Sequence, residues 1–411
     1  MRALATPIKV LADGVSKAGN WMHVKVENPS MLSQLLKECS AANMKVIIGD
    51  PREVGVPSSD SGEIVFVDLR SLSNVREHCL PDQVISVGTG MAIAELDAML
   101  GHNRQWWPVA APPNSTIHDV IVSGDGGPLE HGYGGPRHLT LGLDVNLANG
   151  TCIKTGGKVV KNVTGYDMTK LIVGSRGIFG VPSLAHLRLY AKPESCRSLV
   201  VASETGMLGL LNLANKFMLS GLPIAVLELV ESASLSAILP LGAAAGTSQK
   251  FFMLCQIYEH EQVIMETLPQ LQAMQTSGFW SFTFEQELSG QLLKAVSDMP
   301  TPFMEIDCAP SVMALLWQEV SQISLAERVR VRPGAGRMRL SCDEKTFSEV
   351  RASLSRWCEK KSMSFSVAWI DRDRVIASEV PQGNAAASNI ITKIKQQFDP
   401  SGCLSPFASL Y

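Results

Sequence analysis

The sequence predicts an α+β protein with two domains, and three observations support this prediction. The chain has 411 residues, enough for two domains that each bury a sizeable core. Its glycine-rich loops end before Lys192-Pro193, where we place a domain boundary. After that boundary, strand and helix patterns alternate, which is typical of an antiparallel sheet with helices on one side.

The overall composition is that of an ordinary globular protein. Hydrophobic residues make up 45% of the chain and charged residues 18%, and the net charge of −3 gives no indication of a nucleic-acid partner. The chain has no run of about 18 apolar residues. Its first residues lack the apolar core of a secretory signal. We therefore expect neither a membrane-spanning helix nor a leader.

The nine cysteines are scattered and form no Cys-x-x-Cys pair. This spacing argues against a zinc site or an iron–sulfur cluster held by this chain, so we predict no metal site. Unpaired cysteines are typical of a reducing compartment. We expect a cytoplasmic protein that is peripheral to the inner membrane only through its partners.

The chain opens with a predicted β-α-β unit. Residues 21–26 alternate and predict a strand, and 44–48 predict a second strand. Between them, apolar residues at helical spacing over 31–39 predict a helix, with Asn28 or Ser30 as its N-cap.

The rest of the first domain is predicted to be mainly strands. One helix is predicted from Ile93 to Leu100, with Gly101 as its C-cap, and Asn149-Gly150 predicts a hairpin turn. Trp106-Trp107 is expected in a core or an interface. The predicted strands are 63–69, 84–88, 139–147, 151–155 and 184–189.

The second domain is predicted from eight strands and four helices. The strands are 198–203, 224–230, 251–258, 282–288, 303–307, 328–332, 338–341 and 364–370. The helices are 206–219, 262–274, 311–320 and 346–360.

The most informative stretch runs from Gly156 to Gly180 and reads GGKVVKNVTGYDMTKLIVGSRGIFG. Backbone N–H groups in a glycine-rich loop can form a concavity that binds an anion. A glycine-rich loop alone fits a tight structural turn equally well, so its length and the residues around it decide the interpretation.

The full string resembles a flavoprotein superfamily that includes the FAD-binding subunit of bacterial glycolate oxidase, D-lactate dehydrogenase and vanillyl-alcohol oxidase. The resemblance implies an FAD-binding domain of the PCMH type, with two subdomains, over residues 1–192. It also implies an α+β cap domain over 193–385 and a C-terminal segment over 386–411 that returns to the FAD domain. The closing Phe398-Asp399-Pro400-Ser401-Gly402 is similar to the end of that family.

The resemblance also implies which residues contact FAD. In the family, a Lys-Asn-x-x-Gly-Tyr-Asp motif and the glycine loop after it lie along the flavin and its pyrophosphate. The corresponding residues here are Lys161, Asn162, Gly165, Tyr166, Asp167, Gly174, Ser175, Gly177, Gly180 and Val181.

The sequence departs from the family at a first pyrophosphate loop. The family has a glycine-rich run where this chain has Gly49-Asp50-Pro51-Arg52-Glu53. Pro51 has no N–H to donate, and the acidic residues would repel a phosphate. Gly49 and Arg52 are the expected contacts, since a guanidinium suits phosphate. An ordinary turn with solvated charges is an equal alternative.

A second departure follows at 111–119. The family's Ala-Thr-Ile-Gly-Gly aligns with Ser115 to Asp119, so His118 and Asp119 replace two glycines at another pyrophosphate contact. Thr116 and Ile117 are the expected contacts that remain.

Oxidation of a 2-hydroxy acid by a flavin needs a cation for the carboxylate and a base for the hydroxyl. All eight histidines lie at or before residue 260, and the second domain offers no convincing histidine base. We therefore assign no catalytic residue.

Three arginines alternate in Arg328-Val329-Arg330-Val331-Arg332, and Arg337 and Arg339 follow across a turn. They predict either a patch that binds a carboxylate or a partner, or the solvated face of an amphipathic strand. The solvated face is favoured, because charged strand faces are usually solvated.

Two functions follow. In the first, the chain is the flavin-binding subunit of a glycolate or D-lactate dehydrogenase complex. It oxidises a small 2-hydroxy acid and passes electrons to other subunits, including an iron–sulfur subunit. In the second, the chain is a catalytically degenerate structural or assembly subunit of such a complex and binds no flavin.

Overall fold

The computed structural model describes residues 9–16, 19–51, 63–157, 167–235, 238–239, 250–297, 302–322, 328–361, 365–371, 374–379 and 385–404. By its internal contacts, the chain divides into two units. Unit 1 comprises residues 1–126, 135–192 and 386–411, and unit 2 comprises residues 127–134 and 193–385. The chain therefore passes from unit 1 into unit 2 and back at 127–134, which the sequence did not predict.

The first sheet of unit 1 has four strands in the order β1-β2-β4-β3. These are β1 (Lys9–Ser16), β2 (Gly19–Lys25), β3 (Lys45–Ile48) and β4 (Ile64–Asp68). Helix α1 (Pro29–Ala42) joins β2 to β3, and both strands run parallel to β4. The helix begins where predicted, because the Asn28 side chain accepts the N–H of Met31 at 3.0 Å.

The second sheet of unit 1 has five antiparallel strands in the order β5-β6-β10-β8-β9. These are β5 (Val75–Cys79), β6 (Val84–Gly88), β8 (Thr140–Asn146), β9 (Cys152–Gly156) and β10 (Val181–Arg188). Two short strands, β7 (Gln105–Trp106) and β11 (Tyr190–Ala191), pair with each other.

Four helices accompany the second sheet: α2 (Ile93–Gly101), α3 (Ile117–Ser123), α5 (Pro136–Leu139) and α6 (Thr169–Ile172). Gly101 is the last helical residue and His102 is the cap, so the predicted C-cap is displaced by one residue. Trp107 is 1% exposed and lies in this apolar core, as predicted.

Unit 2 is built on one antiparallel sheet of nine strands in the order β15-β12-β14-β13-β17-β18-β16-β19-β20. The strands are β12 (Ser195–Ser203), β13 (Val226–Glu231), β14 (Phe251–Glu259), β15 (Phe279–Phe284), β16 (Phe303–Cys308), β17 (Val329–Arg332), β18 (Arg337–Ser341), β19 (Phe365–Asp371) and β20 (Arg374–Glu379). The predicted α+β class with an antiparallel sheet is confirmed.

Helices of unit 2 lie on both faces of this sheet. They are α4 (Glu130–Tyr133), α7 (Gly206–Leu219), α8 (Ser232–Leu235), α9 (Glu261–Ala273), α10 (Gln286–Ser297), α11 (Met313–Val320) and α12 (Glu344–Lys361). Helices α7, α9, α11 and α12 share an apolar core with one face. Helix α10 packs on the other face, where Ser289 bonds Ser198 and Gln256.

Helix α10 corrects the predicted strand 282–288. The strand ends at Phe284, and the residues from Gln286 form a helix. The alternation of apolar and polar residues continued past Phe284, but the later spacing of Ser289, Leu292 and Val296 is helical and buries all three.

The last helix, α13 (Ala385–Phe398), leads back into unit 1. Asp399 is 2% exposed and accepts the N–H groups of Cys403 and Leu404. Leu404 then bridges to Val46 in β3. Among the described residues, no helix combines the length and the apolar character needed to cross a membrane.

Substitution of Gly156 by Ala should destabilise unit 1. Gly156 has φ +62°, and an added Cβ would lie 2.1 Å from the carbonyl oxygen of Leu141. We expect the free energy of unfolding to fall by about 2–4 kcal/mol, from backbone strain and overpacking together. The measurement is urea denaturation.

Gly157→Ala is the matched control, because a Cβ there meets nothing within 4 Å. We expect it to change the free energy of unfolding by less than about 0.5 kcal/mol. A loss of the same size in both variants would contradict the proposed strain at Gly156.

Candidate functional site

Within the stretch from Gly156 to Gly180, the structure describes Gly156, Gly157 and the residues from Asp167 onwards. Asp167 is the first predicted FAD contact of this stretch that it describes. This residue is exposed, and its carboxylate lies 3.4 Å from the Lys170 ammonium at the start of α6. Five residues predicted to contact the cofactor lie outside the described residues, so nothing is added to their assignment: Arg52, Lys161, Asn162, Gly165 and Tyr166.

The glycine loop after α6 is held against the end of α3. The N–H of Gly174 donates to Ile121 O at 2.9 Å, and the N–H of Arg176 donates to Val122 O at 2.8 Å. Gly124, which ends α3, has φ +70°, and a Cβ there would lie 2.8 Å from Gly174 Cα. The two backbones therefore approach more closely than any larger residue at position 124 would allow.

Two groups of this loop have no close partner in the protein: the Ser175 hydroxyl and the Cβ side of Gly177. The Ser175 hydroxyl is buried without a hydrogen-bond partner, although buried hydroxyls are normally bonded. Gly177 has φ +79°, and an added Cβ would meet nothing within 4 Å. Ser175 therefore offers an unused polar group, and the backbone at Gly177 is free of close neighbours on the Cβ side.

Gly180 and Val181 have a different role. A Cβ at Gly180 would lie 2.6 Å from Cγ1 of Val145, so packing within the sheet explains this glycine. Val181 is 2% exposed in β10, and its carbonyl oxygen accepts the side-chain amide of Asn146 at 3.2 Å. Contact of these two residues with a cofactor stays a prediction.

The N-terminus of α3 is closed by its own residues. Thr116 and Asp119 form a capping box, in which the Asp119 carboxylate accepts the N–H of Thr116 at 2.8 Å. The N–H groups of Ile117 and His118 donate to Met91 O and Thr89 O. These N–H groups are therefore engaged within the protein. The Thr-x-x-Asp spacing of a capping box was visible in the sequence, and the prediction overlooked it.

His118, which the sequence resemblance aligns with a family glycine, is 3% exposed. Neither ring nitrogen has a hydrogen-bond partner, and Nδ1 lies 3.6 Å from the Asp119 carboxylate. Burial raises the pKa of Asp119, but the neighbouring His118 ring and the hydrogen bonds from Thr116 outweigh burial and lower that pKa.

The first predicted phosphate loop is only partly described. Gly49 has φ +128°, and its N–H donates to Val67 O at 3.0 Å. Asp50 is 3% exposed and lies 3.7 Å from Arg70, which also binds Asp68 through two guanidinium nitrogens. Of the two alternatives for this loop, the turn with solvated charges does not describe Asp50, because its carboxylate is buried near Arg70.

Two arginines of the 328–332 strand, Arg330 and Arg332, are also buried, contrary to the favoured interpretation. Arg330 is 3% exposed and Arg332 is 4% exposed. Arg332 lies between two carboxylates, at 2.5 Å from Glu228 and 2.9 Å from Glu130. The sequence pattern could not show this, because Glu228 lies 104 residues away along the chain.

The neighbouring arginines on β18 are paired in the same way. Arg339 donates to Glu305 at 2.6 Å, and Arg337 donates to Asp307 at 2.8 Å. Glu305 is itself buried, at 3% exposed. The polar face of the sheet thus carries a row of arginines matched with carboxylates from adjacent strands, as buried charges require.

Arg330 differs from these arginines. Its Nη2 donates to Ala295 O near the end of α10 at 3.3 Å, while Nε and Nη1 are buried without hydrogen-bond partners. Burial lowers the pKa of Arg330 to about 10, which still leaves it charged at neutral pH. Among the described residues, Arg330 is therefore a buried cation that donates to one backbone carbonyl and to no carboxylate.

Replacement by Met should change the free energy of unfolding much more at Arg339 than at Arg330. Arg339→Met leaves Glu305 buried without its nearest cation, and we expect a loss of about 3–5 kcal/mol in the free energy of unfolding. Arg330→Met removes a buried charge that hydrogen-bonds no carboxylate, so stability should stay within about 1 kcal/mol of the parent or rise.

Urea denaturation of the two variants beside the parent checks this expectation. A large loss in both variants would show that the Arg330 guanidinium contributes as much to folding as the paired Arg339.

Comparison with known proteins relates these features to a family. Residues 22–156 match a family described as "FAD binding domain". The chain is 30% identical over 212 residues to a probable mitochondrial D-lactate dehydrogenase of Danio rerio, covering 50% of this chain and 42% of that protein. It is 30% identical over 186 residues to the glycolate oxidase subunit GlcD of Bacillus subtilis, covering 43% and 38%.

The matches span about two fifths of the length of these relatives. A solved structure of alkyldihydroxyacetonephosphate synthase covers 93% of this chain, with 76% of its own chain matched, at a TM-score of 0.64 and 10% sequence identity. At that identity the likeness concerns the fold alone, and it extends over both units.

The described residues fit an FAD phosphate at one of the predicted loops. The unused Ser175 hydroxyl and the open backbone at Gly177 suit a ligand, whereas the first N–H groups of α3 are already bonded. Among the described residues, no group of three His, Cys, Asp or Glu side chains could hold a metal ion. Residues 22–156 therefore match the family described as "FAD binding domain", and the similar proteins include a D-lactate dehydrogenase and a glycolate oxidase subunit, the two classes that the glycine-rich string resembles.

Proposed function

We propose that this chain is the flavin-binding subunit of a dehydrogenase that oxidises a small 2-hydroxy acid of the glycolate or D-lactate type. The observation that carries the proposal is the match of residues 22–156 to an FAD-binding domain. The names of the relatives, a glycolate oxidase subunit and a D-lactate dehydrogenase, support the substrate class.

The proposed reaction converts a 2-hydroxy acid to a 2-oxo acid. The carbon that bears the hydroxyl loses a hydride, the hydroxyl loses a proton, and the C–O bond becomes a carbonyl. Bound FAD would supply the hydride acceptor. The protein has to hold the carboxylate with a cation and to accept the hydroxyl proton on a base.

The proposal includes partner subunits that accept the electrons. Two electrons leave the reduced flavin in each turnover, and the described residues show no cluster of metal ligands to receive them. An iron–sulfur subunit is the proposed acceptor, in the cytoplasm, with any contact to the inner membrane made through partners.

A second candidate is a structural or assembly subunit of the same complex without flavin. Two features favour it: Pro51 offers no N–H to a phosphate, and the first N–H groups of α3 are bonded within the protein. An absorbance spectrum of the purified chain separates the two candidates, because only the first has flavin bands.

Gly177→Val should reduce the flavin content of the purified protein. A branched side chain would fill the open space at Gly177 and keep a phosphate from the loop backbone. Loss of one bond to a charged group costs roughly 1.5–3 kcal/mol, or about 10- to 150-fold in FAD affinity.

Gly206→Val in unit 2 is the matched control. Gly206 has φ +61° and also meets nothing within 4 Å, so its backbone strain should be similar. Both variants should lose a similar, small amount of stability, but only Gly177→Val should lose flavin. Equal flavin content in the two variants would show that the loop is only a structural turn.

The chain should purify from a native extract as part of a larger assembly. Size-exclusion chromatography with an antibody to this chain tests this expectation. An isolated, stable monomer that oxidises glycolate or D-lactate with a dye acceptor would refute the need for partners.

A further inference from the structure

Strand β15 (Phe279–Phe284) lies at one edge of the nine-stranded sheet of unit 2. It pairs with β12 on one side, and within the part of the chain that the structure describes no strand pairs with its other side. An edge strand presents a row of N–H and C=O groups that another strand can bind. The strand reads FWSFTF, without the charged residues or prolines that commonly protect such an edge.

One hydrogen bond shows which residues of β15 direct their main-chain groups outwards. The N–H of Glu204 donates to Gly278 O at 2.9 Å, so these two opposed residues form a hydrogen-bonded pair. Hydrogen-bonded and non-hydrogen-bonded pairs alternate along an antiparallel ladder. The even-numbered residues of β15 therefore bond β12, whereas the N–H and C=O groups of Phe279, Ser281 and Thr283 point to the outer edge.

Two aromatic side chains of the same strand are incompletely buried. Trp280 and Phe282 share the face of Ser198, which bonds Ser289 of α10. Trp280 is 39% exposed and Phe282 is half-buried, although aromatic side chains contribute most when they are buried. The edge thus combines outward main-chain groups with aromatic surface that a neighbouring strand would cover.

A second copy of β15 fits this edge in one register better than in any other. With a two-fold axis at Ser281, the outward groups of Ser281 meet those of the second Ser281. Phe279 of each copy then meets Thr283 of the other. These hydrogen-bonded pairs supply about six main-chain bonds, and a shifted register would supply fewer.

The same register also matches the side chains of the two copies. Trp280 of each copy lies opposite Phe282 of the other, in a non-hydrogen-bonded pair, where side chains approach most closely. Aromatic pairs across antiparallel strands stabilise a sheet. Glu285, which follows the strand, is opposite Ser277 of the other copy, so no like charges meet along the seam.

We propose that β15 pairs with β15 of a second copy of this chain, about a two-fold axis at Ser281. The pairing joins two nine-stranded sheets edge to edge. Self-complementarity of the main-chain groups, the aromatic side chains and the charges selects a second copy as the partner. The strand is short, so the dimer is reversible rather than permanent. The pairing does not depend on flavin or on oxidation of a substrate.

Sedimentation velocity on the full chain, at roughly 1 to 100 μM, tests the pairing. We expect the protein to pass from monomer to dimer as its concentration rises. A monomer at every concentration would overturn the proposal.

Substitution of Ser281 tests the position of the axis. A charge at the axis meets an identical charge, and like charges directly opposite each other destabilise a sheet. Ser281→Lys and Ser281→Glu alone should each weaken the dimer about tenfold or more. An equal mixture of the two variants should recover dimerisation, because opposite charges then face each other. If the mixture stays monomeric, there is no two-fold axis at Ser281 and the proposal fails.

Ser355→Lys is the matched control. Ser355 is exposed on α12, which contacts β19 near the opposite edge of the sheet. This variant adds the same charge and should dimerise as the parent does. Equal weakening in Ser281→Lys and Ser355→Lys would refute the pairing through β15.

Hydrogen exchange on the parent decides the question even if the Ser281 variants do not fold. The outward N–H groups of Phe279, Ser281 and Thr283 should exchange more slowly at high protein concentration than at low concentration. Exchange that is independent of concentration would contradict the pairing. Protection that appears only in a native assembly, while the isolated chain stays monomeric, would assign this edge to a different subunit and overturn the self-pairing.

Discussion

Buried charge is the constraint on which unit 2 depends. An apolar core covers one face of its sheet, but the other face carries arginines and carboxylates that are almost closed to water. The buried arginine–carboxylate pairs join neighbouring strands, and they couple strands that are distant in sequence. Arg332 shows the coupling most clearly, because it joins Glu228 on β13 to Glu130 in the segment 127–134.

In unit 1, the corresponding constraint is the close approach of two backbone segments, at Gly124 and Gly174. Gly124 ends α3 at the point where Gly174 passes it, and the loop after Gly174 donates to the last carbonyls of that helix. The loop that carries Ser175 and Gly177 is therefore positioned by main-chain bonds rather than by side chains. The Ser175 hydroxyl makes no hydrogen bond within the protein, and an added Cβ at Gly177 would meet nothing within 4 Å.

Local patterns in the sequence were sufficient for much of the fold. Helix α1 with its Asn28 cap, most central strands and the antiparallel sheet of unit 2 followed from hydrophobic periodicity. The strands β1, β5 and β20 were not predicted. They lie at sheet edges, where the burial that produces an alternating pattern is weaker.

The candidate sites were harder to predict, because they depend on distant partners. The arginines of 328–332 alternate as they would on a solvated strand. The partner that explains the burial of Arg332 is Glu228, on a neighbouring strand that is distant in sequence. The resemblance identified the glycine loop, but it could not separate Gly180, which packs against Val145, from Gly177, which is open. The difference between these two glycines depends on neighbours that only the folded structure reveals.

Residues 127–134 belong to unit 2 although they lie within the sequence of unit 1, and this limits how the chain can be cut into fragments. Unit 2 takes eight residues from within the sequence of unit 1, and unit 1 takes its last helix from beyond unit 2. No single cut in the chain releases either unit intact. A fragment that ends at residue 192 would keep Glu130 but lose Arg332, and gene fusion or exchange between relatives would have to transfer both pieces together.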